Sequence, residues 1–472
     1  MVAESPFYNL ICKHITLGGN KVKKTMLLSL VLTVMIVVAG CGKNSSTSNN
    51  SPSEPAATTS AEAQPSSSSA ASESASSAPE DQPAELSVLV FESPNLTAQF
   101  WDGAIKRFTD KHPNIKINKI VSPDLDRTKY AKQLLASGQF PDVLMSIDVQ
   151  DFTNSKSLLP IDDKYLSKVP GAEGNAINGK VYQLPWGAQT IPYIYYNKKM
   201  FADAGATEPK TWAEFLDVIA KLKKAGFTPL LNGGGKDTWA TTFLLDGIIS
   251  TDVFTQDPDW VTKRKNGEVK FSDPLFKNAV KKWKSLYDSK SFNSDGLSID
   301  YSLLQDAFLK GKGAMYPMGS WFVAAADAQK DIDVGVFTVP TDDGSIVIPY
   351  SVGGPASVSA STKYPEAAQM FATEFVTDAQ NVVEIVKSDA LIPLDGQTVD
   401  YQYSPLFQRV IDLIGQGKKV NAFSWENGDA SMIAGMKDEM NKTAQNIILG
   451  KSVDSELAAL DAKWEQTSAR SK

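Results

Sequence analysis

Of the chain's nine tryptophans, four stand where a ring could meet a ligand rather than a core. Trp239 lies in a Gly-rich, polar stretch, and Trp321 follows Gly319-Ser320 at the end of an expected strand. Trp425 closes the polar run Asn421-Ala422-Phe423-Ser424, and Trp186 sits between Pro185 and Gly187. A planar ring offers a large contact area while losing little rotamer freedom. Carboxylates occupy comparable places. Glu92 directly follows the first expected strand, Asp148 follows the strand expected at Val143–Met145, and Asp237 neighbours Trp239. Asp237 has a competing role as cap of a helix beginning near Thr238. Tyr350 joins the candidates, as do Gly353 and Gly354, where backbone can approach a ligand closely. The chemistry on offer is stacking and hydrogen bonding.

Residues for other chemistries are scarce. The chain has two cysteines, Cys12 and Cys41, and two histidines, His14 and His112. Such a count offers no CxxC pair and no Cys/His zinc site, so no metal is expected, although carboxylates leave calcium open. His112 precedes Pro113 in a polar turn and reads as a solvated helix-end residue. The stretch Gly233-Gly234-Gly235-Lys236-Asp237-Thr238 lacks the spacing of a phosphate loop, and no cofactor is expected.

The elements that must position these residues begin behind an export signal. Lys21, Lys23 and Lys24 precede the uncharged run Met26 to Gly40, too short to span a bilayer, which needs roughly 20 apolar residues. The run ends in Val38-Ala39-Gly40-Cys41, which resembles a lipobox and makes Cys41 the expected site of diacylation. Residues 1–20 fit a signal poorly, and a start near 22–26 is expected. Residues 42–85 contain no Val, Ile, Leu, Met or aromatic residue. They are expected to form a disordered tether reaching roughly 35–40 Å. Loss of residues 1–40 leaves 43 basic and 53 acidic residues with no basic stripe, so no nucleic acid is expected as a partner.

From Leu86 the pattern turns globular and long enough for two domains. Strands are expected at Leu86–Phe91, Ile115–Val121 and Val143–Met145, with helices at Thr97–Lys111 and Arg127–Ser137. That βαβαβ order implies a parallel sheet covered on both faces. Further on, strands are expected at Ile194–Tyr196, Thr228–Leu231, Gly313–Pro317 and Val334–Val339. Helices are expected at Trp212–Ala225, Leu303–Lys310 and Pro365–Val376. Trp101, Trp212, Trp283 and Trp464 fall on apolar helical stripes and read as core; Trp260 reads as a surface or packing residue. The whole is an α/β protein of two lobes, with its site beyond the carboxyl ends of the strands.

Several segments resemble the extracellular solute-binding protein family 1 of ABC sugar importers, the group that includes maltose-binding protein. They are Gly138-Gln139-Phe140-Pro141-Asp142-Val143, Leu184-Pro185-Trp186-Gly187, Tyr195-Tyr196-Asn197-Lys198-Lys199-Met200-Phe201 and Lys210-Thr211-Trp212-Ala213-Glu214-Phe215. Gly234-Gly235-Lys236-Asp237-Thr238-Trp239, Phe308-Leu309-Lys310-Gly311-Lys312-Gly313-Ala314-Met315, Gly319-Ser320-Trp321 and Val352-Gly353-Gly354 follow in order.

The resemblance implies a two-lobed periplasmic-binding-protein-like fold with a central ligand cleft and a three-segment hinge. The crossings would lie near Thr190–Pro192, Gly354–Val358 and Leu391–Val399. One lobe would take residues 86–190 with 357–393, the other 193–353 with 398–472. It further implies a monomeric receptor, not an enzyme, that captures a carbohydrate and delivers it to the transmembrane subunits of an ABC permease. The protein would be held by lipid on the extracytoplasmic face of the cell membrane. Four candidate tryptophans point to an oligosaccharide rather than a single ring. Two alternatives stay open on the residues. Glu92, Asp148, Asp237 and Glu426 could supply the two carboxyls, about 5–10 Å apart, of a secreted carbohydrate hydrolase. A sensor or adhesion receptor would bind the same sugars without import.

Overall fold

The first lobe grows from the run AELSVLV, buried on both faces. A computed structural model describes residues 83–394 and 397–471. The signal segment, Cys41 and nearly all of the tether lie outside the described residues, and no described helix is long and apolar enough to cross a membrane. The strand begins at Ala84, two residues inside the expected tether, and ends at Val90. It pairs in parallel with Ile115–Val121 on one side and Val143–Met145 on the other. Ala356–Ser359 and Leu158–Leu159 then add antiparallel, so the five-stranded sheet is mixed rather than wholly parallel.

Alternation along the first strand sends Leu86, Val88 and Val90 to one face and Leu89 to the other. The first face is covered by the helices Ala98–Lys111 and Pro365–Thr377 through Phe100, Trp101, Phe371 and Phe375. The helix Arg127–Ala136 covers the second through Ala131 and Leu134. His112 ends the helix Ala98–Lys111 but is not solvated. Its side chain is 14% exposed, and Nε2 lies 2.9 Å from the Glu374 carboxylate.

The second lobe is built on a three-stranded antiparallel sheet, with Tyr193–Asn197 between Val334–Thr338 and Met315–Met318. Ile194 and Tyr196 enter one core, Tyr193 and Tyr195 the other. The helix Trp212–Lys224 starts with a capping box between Thr211 and Glu214. Thr228–Leu231 does not form the expected strand. Only Leu230 forms bridges, to Phe292 and Met315, although the Thr228 and Pro229 carbonyls accept from the Ala314 and Met315 N–H groups and Leu231 donates to the Met315 carbonyl; Pro229, with no N–H, interrupts the regular ladder. Trp260 is 1% exposed and stacks on Phe276 at 4.8 Å, so it is core rather than surface.

A third, short sheet joins the lobes. Val347–Gly353 runs parallel to Lys418–Asn421 and antiparallel to Gly187–Thr190. Ala188 and Ile392 exchange two backbone hydrogen bonds of 2.8 Å. Three stretches of chain thus lie side by side where the structure passes from one lobe to the other.

Trp101 is wholly buried and stacks on Phe375 at 5.7 Å. Trp101→Ala is expected to destabilise the protein by roughly 3–5 kcal/mol. Urea unfolding measures this, and a loss below about 1 kcal/mol would contradict the core role.

Candidate functional site

The cleft is a cavity of about 340 Å³ whose walls come from both lobes and the joining sheet. The first-lobe wall follows the sequence logic of strand ends. Phe91 and Ser93 come just after the first strand, Ser146 to Val149 just after the third, and Arg127 and Thr128 open a helix. The joining sheet contributes Gln189, Ser351 and Gly353, followed by Gly354. The opposite wall carries Trp239, Asp246, Tyr301, Trp321, Trp425, Glu426 and Lys437.

Three of the four candidate tryptophans meet there. Trp425 lies parallel to Phe243 at 5.8 Å and edge-on to Trp239 at 6.2 Å, while Trp321 tilts against it at 5.9 Å. Trp239 in turn touches Tyr301 at 5.2 Å. The Trp321 ring folds back over Gly319, where a Cβ would come within 2.1 Å of it. Trp186 also lines the cleft but from another cluster, stacked with Trp101 at 6.5 Å and tilted on Phe375 at 5.4 Å. Gly353 and Gly354 line the cleft as expected, and a Cβ on Gly354 would strike the Gln183 amide at 2.2 Å.

The other candidates divide. Asp148 lines the cleft and accepts from the Gln150 N–H at 3.1 Å. Its other oxygen pairs with the Lys437 ammonium at 3.1 Å, so one ion pair bridges the two walls. Asp237 does not line the cleft. It is 5% exposed and accepts from the Tyr301 N–H at 3.0 Å, which fixes the start of the helix Tyr301–Leu309. Glu92 is exposed and lies off the cavity, between the lining residues Phe91 and Ser93. Tyr350 is also off it, with the Lys419 ammonium 4.4 Å over its ring. Strand alternation explains the miss, since Ser351 and Gly353 face the cleft and Tyr350 and Val352 pack on the core.

Four buried charges were not among the expected binding residues. The Arg127 guanidinium sits 4.0 Å over the Phe91 ring, donates to the Ser146 carbonyl at 2.6 Å, and is pulled down to about 10 by burial. Asp389 accepts from Asn95 at 3.3 Å and Gln189 at 3.2 Å, and burial pushes its carboxyl up to about 7. Glu426 is pushed up to about 8 by burial, against the opposing pull of Lys437. Asp246 is also raised well above the carboxylate range, first by burial and then by the charge of Glu426. The signal for Asp246 was in the sequence: a lone acid inside the apolar helix FLLDGII has to be satisfied by something.

The walls also touch beyond the ion pair. Asn95 donates to the Trp321 carbonyl at 2.7 Å, Gln150 to the Gly428 carbonyl at 2.9 Å, and the Asn178 N–H to the Asp429 carboxylate at 3.0 Å. Two lobes, a shared hinge and an aromatic cleft between them describe a receptor. Residues 93–382 match the family of bacterial extracellular solute-binding proteins. The chain belongs to that family.

This solute-binding protein is 27% identical over 286 residues to a multiple sugar-binding protein of Streptococcus mutans serotype c, covering 58% of this chain and 67% of the relative. An ABC transporter extracellular-binding protein of Pyrococcus horikoshii is 24% identical over 321 residues, 65% of this chain and 74% of that one. Among solved structures, a chitin oligosaccharide binding protein superposes with a TM-score of 0.71 at 23% identity, over 82% of this chain and 99% of the other. A raffinose complex of another solute-binding protein superposes at 0.64 with 21% identity, over 81% and 99%. These likenesses share the two-lobed fold, and the family and its relatives are binding proteins that work outside the cytoplasm.

The buried acids give the solute-binding protein a pH signature. Unfolded carboxyls ionise near about 4, whereas Asp389 keeps its proton to about 7 and Glu426 to about 8. Between those values the native state binds more protons than the unfolded one, so their contribution to stability is lost as pH rises through the window. The melting temperature of Glu426→Gln is therefore expected to gain on wild type steadily from about pH 4 to about pH 8. A constant offset between the two curves would contradict the assignment.

Proposed function

We propose that this solute-binding protein captures a carbohydrate longer than one ring between its lobes and delivers it to the transmembrane subunits of an ABC importer. The observation that carries the reading is the cluster of Trp239, Trp321 and Trp425 facing hydrogen-bonding side chains across the cleft. A saccharide has weakly apolar C–H faces for the rings and hydroxyl rims for Gln183, Gln189, Asn427 and Asn441, all of which line the cavity. The printed names of the relatives, a multiple sugar-binding protein among them, support the same class.

In this reading, residues 86–190 with 357–393 and residues 193–353 with 398–472 are the two moving bodies, and Asp148, Trp186, Gly353 and Gly354 join the tryptophans at the ligand. A ligand favours closure only through its differential affinity for the closed state, here by bridging walls that already carry the Asp148–Lys437 pair. The protein acts as a monomer, and diacylated Cys41 with its tether holds it at the extracytoplasmic face of the membrane.

Titration with neutral mono- and oligosaccharides, followed by tryptophan fluorescence and melting temperature, tests the capture. One saccharide class is expected to give a saturable change and a raised melting temperature. Trp425→Ala should weaken that binding at least tenfold, about 1.4 kcal/mol, with the fold intact. Silence across the panel from folded protein would overturn the carbohydrate reading. Cys41→Ser should move the protein from the membrane fraction to the soluble one; continued sedimentation with membranes would rule out the lipid anchor.

A further inference from the structure

We propose that the saccharide taken by this cleft carries a protonated amine, seated against Asp246 and Glu426 beneath the rings of Trp239, Trp321 and Trp425. The inference rests on the carbohydrate reading above and narrows it.

The charges in the cleft are not evenly served. Asp148 has Lys437 at 3.1 Å, Asp151 has Lys132 at 2.6 Å, and Asp389 accepts from two side-chain amides. Asp246 and Glu426 differ. Neither has an ion-pair partner within 4.0 Å among the described residues. Glu426 is 3% exposed, and among the described residues neither carboxyl oxygen has a side-chain hydrogen-bond partner; only the backbone N–H groups of Ser424 and Glu426 come near it, without forming well-aligned bonds. Asp246 is wholly buried and, among the described residues, accepts from the hydroxyls of Thr242 at 3.0 Å and Ser424 at 3.5 Å and from the Trp425 side chain. The two acids feel each other's charge, and both line the cavity.

Two buried, electrostatically coupled acids, one of them without a side-chain partner among the described residues, are a costly way to hold a neutral ring. Amides would accept from the same hydroxyls without the desolvation penalty of a carboxylate. An ammonium group changes the balance, because on docking it lets the acids release to solvent the protons that burial otherwise keeps on them, and then meets the resulting carboxylates with charged donors at low dielectric. The rings add to it, since a cation over an aromatic face is attracted by the ring quadrupole. Lys437 and Lys265 pull on Glu426 from a distance, but neither forms an ion pair with it, and Lys437 is paired with Asp148. A metal ion fits less well: no group of three or more acidic, His or Cys ligands gathers anywhere among the described residues.

The test uses the full-length protein and matched sugars that differ only at C2: glucosamine, N-acetylglucosamine and glucose, and the β-1,4-linked disaccharide of each. Isothermal titration near neutral pH is expected to show the amine-bearing member binding at least tenfold more tightly than both neutral counterparts. Glu426→Gln and Asp246→Asn should each erase that preference while the melting temperature stays at or above wild type. Absence of any preference for the amine overturns the inference, even where a neutral saccharide binds, and leaves the carbohydrate reading standing. A preference that survives both substitutions overturns the placement. Silence here and across the neutral panel sinks the carbohydrate reading and this inference together.

Discussion

The cleft depends on the close approach of three chain segments in the joining sheet. Gly187–Thr190 is held on one side by Val347–Gly353 and on the other by the paired hydrogen bonds between Ala188 and Ile392. A Cβ on Gly187 would lie 3.0 Å from the Ile392 carbonyl, so a larger residue there would have to push the segments slightly apart. From this narrow waist the chain runs out into both lobes, and every lining residue inherits its position from it. Ser351 and Gly353 face the cavity because they fall on one side of the central strand. Gln189 does so from its neighbour and reaches Asp389, which ends the helix Ala379–Asp389 beside the third segment.

Above that waist the site sets apolar rings against buried charge. The Trp239, Trp321 and Trp425 rings are braced by Phe243 and Tyr301, both in the second-lobe core. Asp237 does not touch the cavity but holds the Tyr301 backbone in place, so it serves the site at one remove. The buried carboxyls of Asp246, Asp389 and Glu426 work against stability at neutral pH, and binding sites commonly accept that cost.

Much of the fold was legible because its signals are local. The first strand reads as a mostly apolar run, Ile115–Val121 alternates apolar and polar residues, and Phe100, Trp101, Ala104 and Phe108 recur at helical spacing. Thr228–Leu231 reads as a strand and does lie along Met315, some 85 residues on, but Pro229 keeps it from forming a regular ladder. Trp260 reads in sequence as either surface or packing, and packing is right because its partners Phe271 and Phe276 arrive through tertiary contacts. In the site, tryptophans in polar loops were legible, since an aromatic outside any apolar stripe needs another use. Tyr350 was chosen without knowing the strand's facing, and Glu92 without knowing that the chain turns its neighbours inward. Asp389 could not be read from sequence, because its burial comes from the packing of both lobes at the waist.

The Asp148–Lys437 pair bridges the walls with side chains 24% and 27% exposed, wet enough to feel dissolved ions. The screening length shrinks from about 10 Å at 0.1 M salt to about 3 Å at 1 M. Brine therefore weakens this charged tie across the mouth while leaving the buried rings untouched. If closure is what holds a guest, loosening that tie costs apparent affinity along with any change in the pace of entry and exit.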